Sequence, residues 1–250
     1  MSGDTYLRGI LQKYAVNVTG AEAAGNAIYP VIQTWGNIYL LKAEFSGSLA
    51  KGTGINIGTD ADIFISVSSS TPGTLADLYG TLCNAVTQAG YTARKQNVSI
   101  GTTVNGSKID LVPGRRQSQH GNDHSLFKYK TGNWTQTNIS THINHVTGSN
   151  RIEEIRLAKI WRTLHKLEFP SFYLELAVID ALKYSKVGDV STNFWKVLEF
   201  FRDSLPSNKY IDPANTNNII SDDLSAVQKS AISNQARLSR SQKTWGGIVW

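Results

Sequence analysis

The sequence lacks both the paired cysteines of many secreted proteins and the long apolar runs of membrane proteins. Its 250 residues include one cysteine, Cys83, which has no partner within the chain for a disulfide. No run of about 18 apolar residues occurs, and the first twenty residues do not join a basic start to an apolar stretch. We therefore expect a cytoplasmic protein with neither a membrane span nor a membrane partner.

Charged side chains are also sparse, and acidic ones are outnumbered. They make up 18% of the chain, with 25 Lys and Arg against 19 Asp and Glu, so the formal net charge is +6. The hydrophobic fraction of 40% is ordinary for a globular protein and excludes wholesale disorder. The positive excess favours polyanions such as nucleotides, RNA or DNA, but many basic proteins bind no nucleic acid. The charge alone leaves RNA or DNA open as a partner.

The order of patterns along the chain predicts an α+β protein. The first forty residues are typical of helices, with a break at Pro30. Strand-like runs follow, and Asn105-Gly106 between two of them predicts a hairpin. The strands are expected at residues 37–44, 62–67, 91–97, 99–104 and 108–112, with one helix among them at 74–89.

Beyond the last of these strands the pattern changes. Residues 113–133 are polar and predict a long surface loop. After about residue 139 the apolar spacing is helical, with Asn150 as an N-cap and Pro170 in a first turn. The helices are expected at residues 151–167, 170–184, 192–203 and 222–239. We predict a mixed domain at residues 1–138, with helices flanking its sheet, and an all-α domain at 139–250.

Two aspartates, Asp60 and Asp62, stand at the mouth of a predicted strand. Residues two apart project from the same face of a strand, so both carboxylates point the same way. Two like charges this close repel one another unless a cation lies between them. Mg²⁺ meets that need, because it is held by one or two carboxylates together with substrate phosphates. The alternative for an isolated pair of this kind is two solvated residues at a strand end.

Two further features, a third aspartate and a glycine-serine turn, could belong to the same site as this pair. Asp110 lies in an otherwise apolar strand, where it could be an edge charge, or could complete a cluster of three carboxylates that holds two metals. In the second case it could also take a proton as general base. Gly47 and Ser48 form a turn ahead of Asp60, and such a turn can bind phosphate oxygens.

Four segments together resemble the bacterial nucleotidyltransferases related to cyclic GMP–AMP synthase and oligoadenylate synthetase, within the polymerase-beta-like superfamily. They are Phe45-Ser46-Gly47-Ser48, Lys51-Gly52-Thr53, Thr59-Asp60-Ala61-Asp62-Ile63 and Ile109-Asp110-Leu111-Val112-Pro113. The resemblance implies a polymerase-beta-like mixed sheet followed by a helical domain. It also implies that the Gly47-Ser48 pair binds a triphosphate, and that Asp60, Asp62 and Asp110 are catalytic and hold two Mg²⁺, with Mn²⁺ as an alternative ion.

The resemblance continues into the second half of the chain. Arg156 to Trp161 resembles the helix that carries a phosphate-binding lysine, here Lys159. Pro170 to Glu175 resembles the next segment, in which a serine, here Ser171, binds the triphosphate and an aromatic residue stacks on the base. Either Phe172 or Tyr173 would be that aromatic residue. A late segment, Asp212 to Ser225, also matches. One cysteine is too few for the zinc site of the animal enzyme, so no zinc is expected.

Several of these residues also have ordinary structural explanations. Lys159 falls within an apolar stripe of its helix, where an ammonium needs an anion or must reach the surface. Phe172 and Tyr173 could simply be core residues. The histidine pairs His120/His124 and His142/His145 could bind a metal, and Arg115 and Arg116 could contact phosphate or an RNA backbone, but solvated side chains are the ordinary explanation for both.

The sequence thus predicts an enzyme that uses nucleoside triphosphates, ATP or others, to make a cyclic or short linear oligonucleotide signal, as bacteria do in antiphage defence. A template-independent transferase acting on RNA or on a tRNA end is the alternative. A silent nucleic-acid-binding protein of the same fold is a third hypothesis. The bases used, the linkage, the activating signal and the oligomeric state cannot be inferred from these patterns.

Overall fold

A computed structural model describes residues 2–58 and 60–250, so Thr59 of the predicted motif lies outside the described residues. Contacts group the chain into two units, and each is a compact body with its own core. The sheet unit comprises residues 17–51 and 60–143. The helical unit comprises the described residues of 1–16 and 52–59, together with 144–250. The predicted boundary between two domains, after residue 138, stays a prediction.

Within the described residues the elements follow one another as helices, a mixed sheet and then mainly helices. They are α1 (Gly3–Lys13), α2 (Val18–Gly36), β1 (Leu40–Phe45), α3 (Gly47–Ala50), β2 (Ala61–Val67), α4 (Leu75–Gln88), β3 (Arg94–Lys95), β4 (Ile100–Val104), β5 (Ser107–Arg116), β6 (His124–Lys128), β7 (Asn133–Thr137), α5 (Ile139–Thr147), α6 (Ile152–Leu164), α7 (Ser171–Ala181), α8 (Val190–Asp203), β8 (Ile211–Asp212), β9 (Asn215–Ile219) and α9 (Ala226–Arg240). Short 3-10 turns lie at Asn37–Tyr39, Ile220–Asp223 and Trp245–Gly247.

The described strands of the sheet unit form a seven-stranded mixed sheet in the order β1-β2-β5-β4-β3, with β6 paired to the end of β5 and β7 to β6. The central pair, β2 and β5, is parallel, and the other pairs are antiparallel. Ile63 and Ile65 of β2 and Ile109 and Leu111 of β5 belong to a buried core that also holds residues of α2 and α4. Because side chains alternate across a strand, the residues between these point to the opposite face.

The predicted break at Pro30 is wrong, because α2 runs through it. Ala24, Ile28 and Ile32 recur at helical spacing and are fully buried, so packing holds the helix together. Pro30 itself is exposed. The carbonyl of Asn26, four residues earlier, loses its helical partner, but Asn26 is also exposed and water can replace that bond.

The predicted surface loop at residues 113–133 is also wrong. The strand β5 continues to Arg116, and His124 begins β6. Pro113 is the register partner of Ile65 of β2, and on its other side it falls between Leu111, the last residue of β5 that pairs with β4, and Arg115, the first that pairs with β6. A missing N–H costs no ladder hydrogen bond on a side without a neighbour.

Two smaller predictions also need correction. Of the strand expected at 91–97, only Arg94–Lys95 is extended and paired. The residue that caps α6 is Arg151, without a side-chain cap bond, whereas Asn150 adopts a left-handed conformation at φ 55°. The Asn105-Gly106 hairpin is confirmed, because Val104 pairs with Ser107 and both turn residues have positive φ.

In the helical unit, α6, α7 and α8 share a core with α1 and α9. Trp161 is its largest fully buried side chain, and its indole N–H donates to Ser239 Oγ at 2.9 Å. Arg151 and Glu154 are buried and lie 3.6 Å apart, and Glu154 also accepts a hydrogen bond from Asn193 at 2.9 Å. Among the residues that the structure describes, no helix has the length and apolar character that a membrane crossing requires.

Candidate active site

The parallel pairing of β2 with β5 brings two of the predicted acids together. Asp62 and Asp110 are register partners, so they occupy neighbouring positions on adjacent strands about 4.8 Å apart. Both are half-buried, and they stand on the face opposite the Ile63 and Leu111 core. Asp60 lies directly before β2, and its charge acts on Asp110.

The environment of Asp110 opposes its negative charge. Burial is the main cause that raises the pKa of Asp110 above its ordinary value, and the charge of Asp60 raises it further. The hydrogen bond from Gln96, the positive charge of Arg94 and the Ser99 hydroxyl act in the opposite direction. The net result is a carboxyl group whose affinity for a proton is increased, as a general base requires.

The turn before α3 lies directly against Asp62. Gly47 has φ 56°, a left-handed conformation that side chains rarely adopt, and a Cβ at this position would collide with Oδ2 of Asp62. The N–H of Ser46 donates to the carbonyl of Asp62 at 2.8 Å and ties the turn to the strand. The carboxylate of Asp62 therefore occupies the space that any residue other than glycine would fill at position 47.

A small cavity adjoins this turn. It measures about 170 Å³, and its wall includes Ser46, Gly47, Lys51, Asp62 and His142. That volume is below the roughly 300–1,000 Å³ of pockets that enclose whole ligands, and it suffices for a phosphate group. His142 was considered in the sequence only as one of a metal-binding pair. The structure places it in the cavity wall.

The donor chemistry of this region suits a hard divalent cation. Three carboxylates supply only oxygen ligands, and oxygen ligands are what Mg²⁺ takes. Across residues 2–58 and 60–250, no three His, Cys, Asp or Glu side chains are arranged so that they could hold a metal ion by themselves. The predicted cluster of Asp60, Asp62 and Asp110 therefore stays a prediction, of which the structure pairs Asp62 with Asp110.

In the helical unit, Lys159 is one of the most deeply buried charged groups. Its Nζ lies 2.7 Å from Oε1 of Glu175 and donates to Oγ1 of Thr53 at 2.8 Å. Thr53 in turn donates to Glu175 at 2.9 Å. The side chains of Lys159 and Glu175 are 2% and 1% exposed. Glu175 is therefore an anionic partner for the buried ammonium of Lys159 within the protein.

Arginine 162, which the sequence analysis missed, lies one turn further along α6. Its Nη1 donates to the carbonyl of Phe169 at 2.8 Å and to Oγ of Ser171 at 3.0 Å. Burial lowers the pKa of Arg162, and the charge of Glu175 raises it. Ser171 is exposed. Spacing could have identified Arg162, since residues three apart share a helix face.

The two candidate aromatic residues differ in exposure. Tyr173 is fully buried, and its ring lies 5.2 Å from that of Phe169 and 5.3 Å from that of Tyr210. Burial raises the pKa of Tyr173 to about 12, and among the described residues its hydroxyl has no hydrogen-bond partner. Phe172 is only partly buried. Of the pair, Phe172 is the residue that a ligand can reach.

Comparison with known proteins found a curated relative. No family model matches the chain. The relative is the cyclic AMP-AMP-AMP synthase of Escherichia coli (strain MS 115-1), which is 27% identical over 163 residues. These cover 60% of this chain and 50% of the relative, so the chain matches about half of that protein's length.

Solved structures are similar over nearly the whole chain. The E. coli MS115-1 CdnC structure with ATP has a TM-score of 0.75 at 20% identity and covers 98% of this chain and 96% of its own. The Bradyrhizobium diazoefficiens CD-NTase CdnG, solved with GTP, has a TM-score of 0.76 at 12% identity and covers 98% and 95%. The predicted resemblance and the α+β fold class are confirmed: this chain has the polymerase-beta-like fold of the solved CD-NTases.

Proposed function

We propose that the chain is a metal-dependent nucleotidyltransferase that joins nucleoside triphosphates into a cyclic or short linear oligonucleotide and releases pyrophosphate. The observation that supports this most is the pairing of Asp62 with Asp110 across β2 and β5, beside the Gly47 turn. A binding protein has no need of converging acids. The names of similar proteins, a cyclic AMP-AMP-AMP synthase and CD-NTases solved with ATP or GTP, point to the same class of reaction.

In the proposed reaction the acceptor hydroxyl gives its proton to Asp110. The freed oxygen attacks the α-phosphorus of the donor in line with the leaving group, and the bond from that phosphorus to the bridging oxygen breaks. Asp60 and Asp62 would hold both divalent ions, and Asp110 one of them. When bound, Mg²⁺ or Mn²⁺ supplies charge neutralisation at the phosphates. Most of the rate enhancement would come from positioning and electrostatic stabilisation.

Several residues are proposed to bind the donor nucleotide. Gly47 and Ser48 would bind its triphosphate, as the resemblance implies. Ser171 would do the same, and we add Arg162 because its guanidinium adjoins the Ser171 hydroxyl. Lys159 stays a predicted triphosphate ligand, although its ammonium is already paired with Glu175. Phe172 is the proposed base-stacking residue because Tyr173 is fully buried.

The test is incubation of the purified chain with four labelled ribonucleoside triphosphates and Mg²⁺, with products identified by mass spectrometry. We expect a small oligonucleotide and pyrophosphate without added RNA. Asp62→Ala and Asp110→Ala should abolish incorporation while the protein stays folded. Near-wild-type turnover by either variant would refute the mechanism. Label transferred only to added RNA would favour the RNA-end transferase instead, and RNA binding without any incorporation would favour a silent binding protein.

We further propose that the product serves antiphage defence and that the chain acts in the cytoplasm, where triphosphates are abundant. The single cysteine suits a reducing compartment. Cells that carry the chain, with the genes that adjoin it, should form fewer plaques than cells that carry its Asp62→Ala variant. Equal plaque counts at equal protein levels would argue against the defence role.

A further inference from the structure

The side chain of Gln96 contacts the proposed general base. Its Nε2 donates to Oδ1 of Asp110 at 3.0 Å. Gln96 directly follows β3, in a segment where sequence patterns had suggested only a strand. What this contact does for catalysis rests on the function proposed above. The contact itself depends only on the fold of the sheet unit.

Two neighbours fix the orientation of Gln96. The hydroxyl of Ser99 donates to Oε1 of Gln96 at 2.7 Å, so the amide oxygen faces Ser99 and the amide nitrogen faces Asp110. The buried hydroxyl of Tyr79 accepts the backbone N–H of Gln96 at 3.0 Å and lies 2.8 Å from the carbonyls of both Gln96 and Ser99. Burial raises the pKa of Tyr79 to about 12, so this hydroxyl keeps the proton that it donates at neutral pH.

A glycine opens the space through which Gln96 reaches Asp110. Gly101 of β4 is the register partner of Asp110. A Cβ at Gly101 would lie 2.6 Å from Nε2 of Gln96, 2.9 Å from Nη2 of Arg94 and 3.1 Å from Oδ1 of Asp110. All three atoms are the ends of side chains, so an alanine here would displace them while leaving the backbone in place. Gln96 therefore supplies the hydrogen-bond donor, and Gly101 leaves the space through which it reaches Asp110.

From this geometry we propose that Gln96 is a positioning residue that holds the Asp110 carboxylate in the orientation needed to bind a divalent ion and to accept the acceptor's proton. Asp110 carries a charge that burial and Asp60 both oppose. A neutral donor offsets part of that cost without supplying a second charge that would compete with the cation. Groups that hydrogen-bond to metal ligands orient them, and their loss typically costs about 10–100-fold in metal affinity or activity.

The test compares three variants of the full chain. Gln96→Leu removes both the donor and the acceptor at similar volume, and Gly101→Ala fills the gap while keeping Gln96. Gln88→Leu, at an exposed glutamine near the end of α4, is the matched control. Each is assayed for kcat, for KM of the triphosphate, for Mn²⁺ affinity without nucleotide, and for thermal unfolding in a chelator.

We expect Gln96→Leu and Gly101→Ala to lower kcat and Mn²⁺ affinity about 10–100-fold. The KM of the triphosphate should stay within about twofold, because Gln96 is not a proposed donor-site residue. The inference is overturned if folded Gln96→Leu matches Gln88→Leu in Mn²⁺ affinity and kcat. If Gln96→Leu does not fold, unchanged values for Gly101→Ala overturn it equally. A wild-type chain without turnover would refute the proposed function, and the Mn²⁺ titration would still decide the role of Gln96.

Discussion

At the scale of single residues, the site depends on positions where a side chain is absent as much as on the acids themselves. Gly47 and Gly101 have different reasons to be glycine. Gly47 combines a left-handed backbone with the Asp62 carboxylate in the place of its Cβ. Gly101 has no positive φ, and what its missing Cβ provides is space for the side chains of Gln96, Arg94 and Asp110. In both cases the missing Cβ leaves an aspartate free to take its position.

We expect Gly47→Ala to inactivate the protein while Gly52→Ala does not. Both glycines have positive φ, 56° and 69°, so each alanine should cost about 1–2 kcal/mol of backbone strain. A Cβ at Gly52 meets nothing closer than Ile152 at 3.9 Å, whereas one at Gly47 displaces the Asp62 carboxylate. A displacement of about 1 Å can cost about 100-fold in kcat. Equal kcat values for the two variants would contradict this explanation.

A buried histidine should make the stability of the fold depend on pH. His124 is 5% exposed, and its Nε2 and Nδ1 lie 2.7 Å from Ser66 Oγ and 2.8 Å from the Asn122 carbonyl. Burial is the main cause that lowers the pKa of His124 below its ordinary value of 6.5. The unfolded chain therefore takes up this proton first as pH falls, so stability is lost below about pH 6.5, toward the lowered pKa.

Replacing this histidine tests that explanation. Chemical denaturation at several pH values should show a smaller loss of unfolding free energy in His124→Gln than in the wild type between about pH 6.5 and 5. His120→Gln, at an exposed histidine, is the matched control. An unchanged slope in His124→Gln would show that other groups cause the effect.

At the scale of elements, sequence patterns predicted most helices and the two strands that carry the acids. The strand at 62–67, the helix at 74–89 and the Asn105-Gly106 hairpin are observed with small shifts, because local spacing and turn residues specify them. The continuation of β5 past Pro113 and the strand β6 could not be predicted, because pairing with a neighbour decides them and local apolar content does not. The contact between Gln96 and Asp110 is non-local for the same reason.

The ion pair that joins α6 to α7 belongs to this scale, and it should matter for stability. Lys159→Met would leave Glu175 buried without its cation, which typically costs about 3–5 kcal/mol. Lys159→Gln combined with Glu175→Gln removes both charges and should recover most of that loss, as measured by urea denaturation. If the double variant is no more stable than Lys159→Met, the pair is not what determines stability here.

The same double variant bears on the triphosphate role predicted for Lys159. A raised KM for the triphosphate at near-normal stability would support that role. An unchanged KM would indicate that Arg162, and not Lys159, contacts the triphosphate. The guanidinium of Arg162 adjoins the exposed Ser171. In that case Arg162→Gln should raise KM, while Arg237→Gln, at an exposed arginine of α9, should not. Comparing these variants separates a structural lysine from a ligand-binding one.

At the scale of the whole molecule, the net charge of +6 would favour RNA binding whether or not RNA is a substrate. Attraction of that kind depends on the release of counterions, so raising salt from about 50 to 200 mM should weaken RNA binding roughly tenfold or more. Assembly of a small oligonucleotide from triphosphates should fall much less, because in the proposed mechanism it depends on the aspartates and the bound ions and not on the net charge. We expect label to appear in small products at both salt concentrations and not in added RNA. The contrary result is label that enters RNA, with an incorporation that falls together with RNA binding as salt rises. In that case the positive charge binds RNA as the acceptor substrate, and the RNA-end transferase becomes the better explanation.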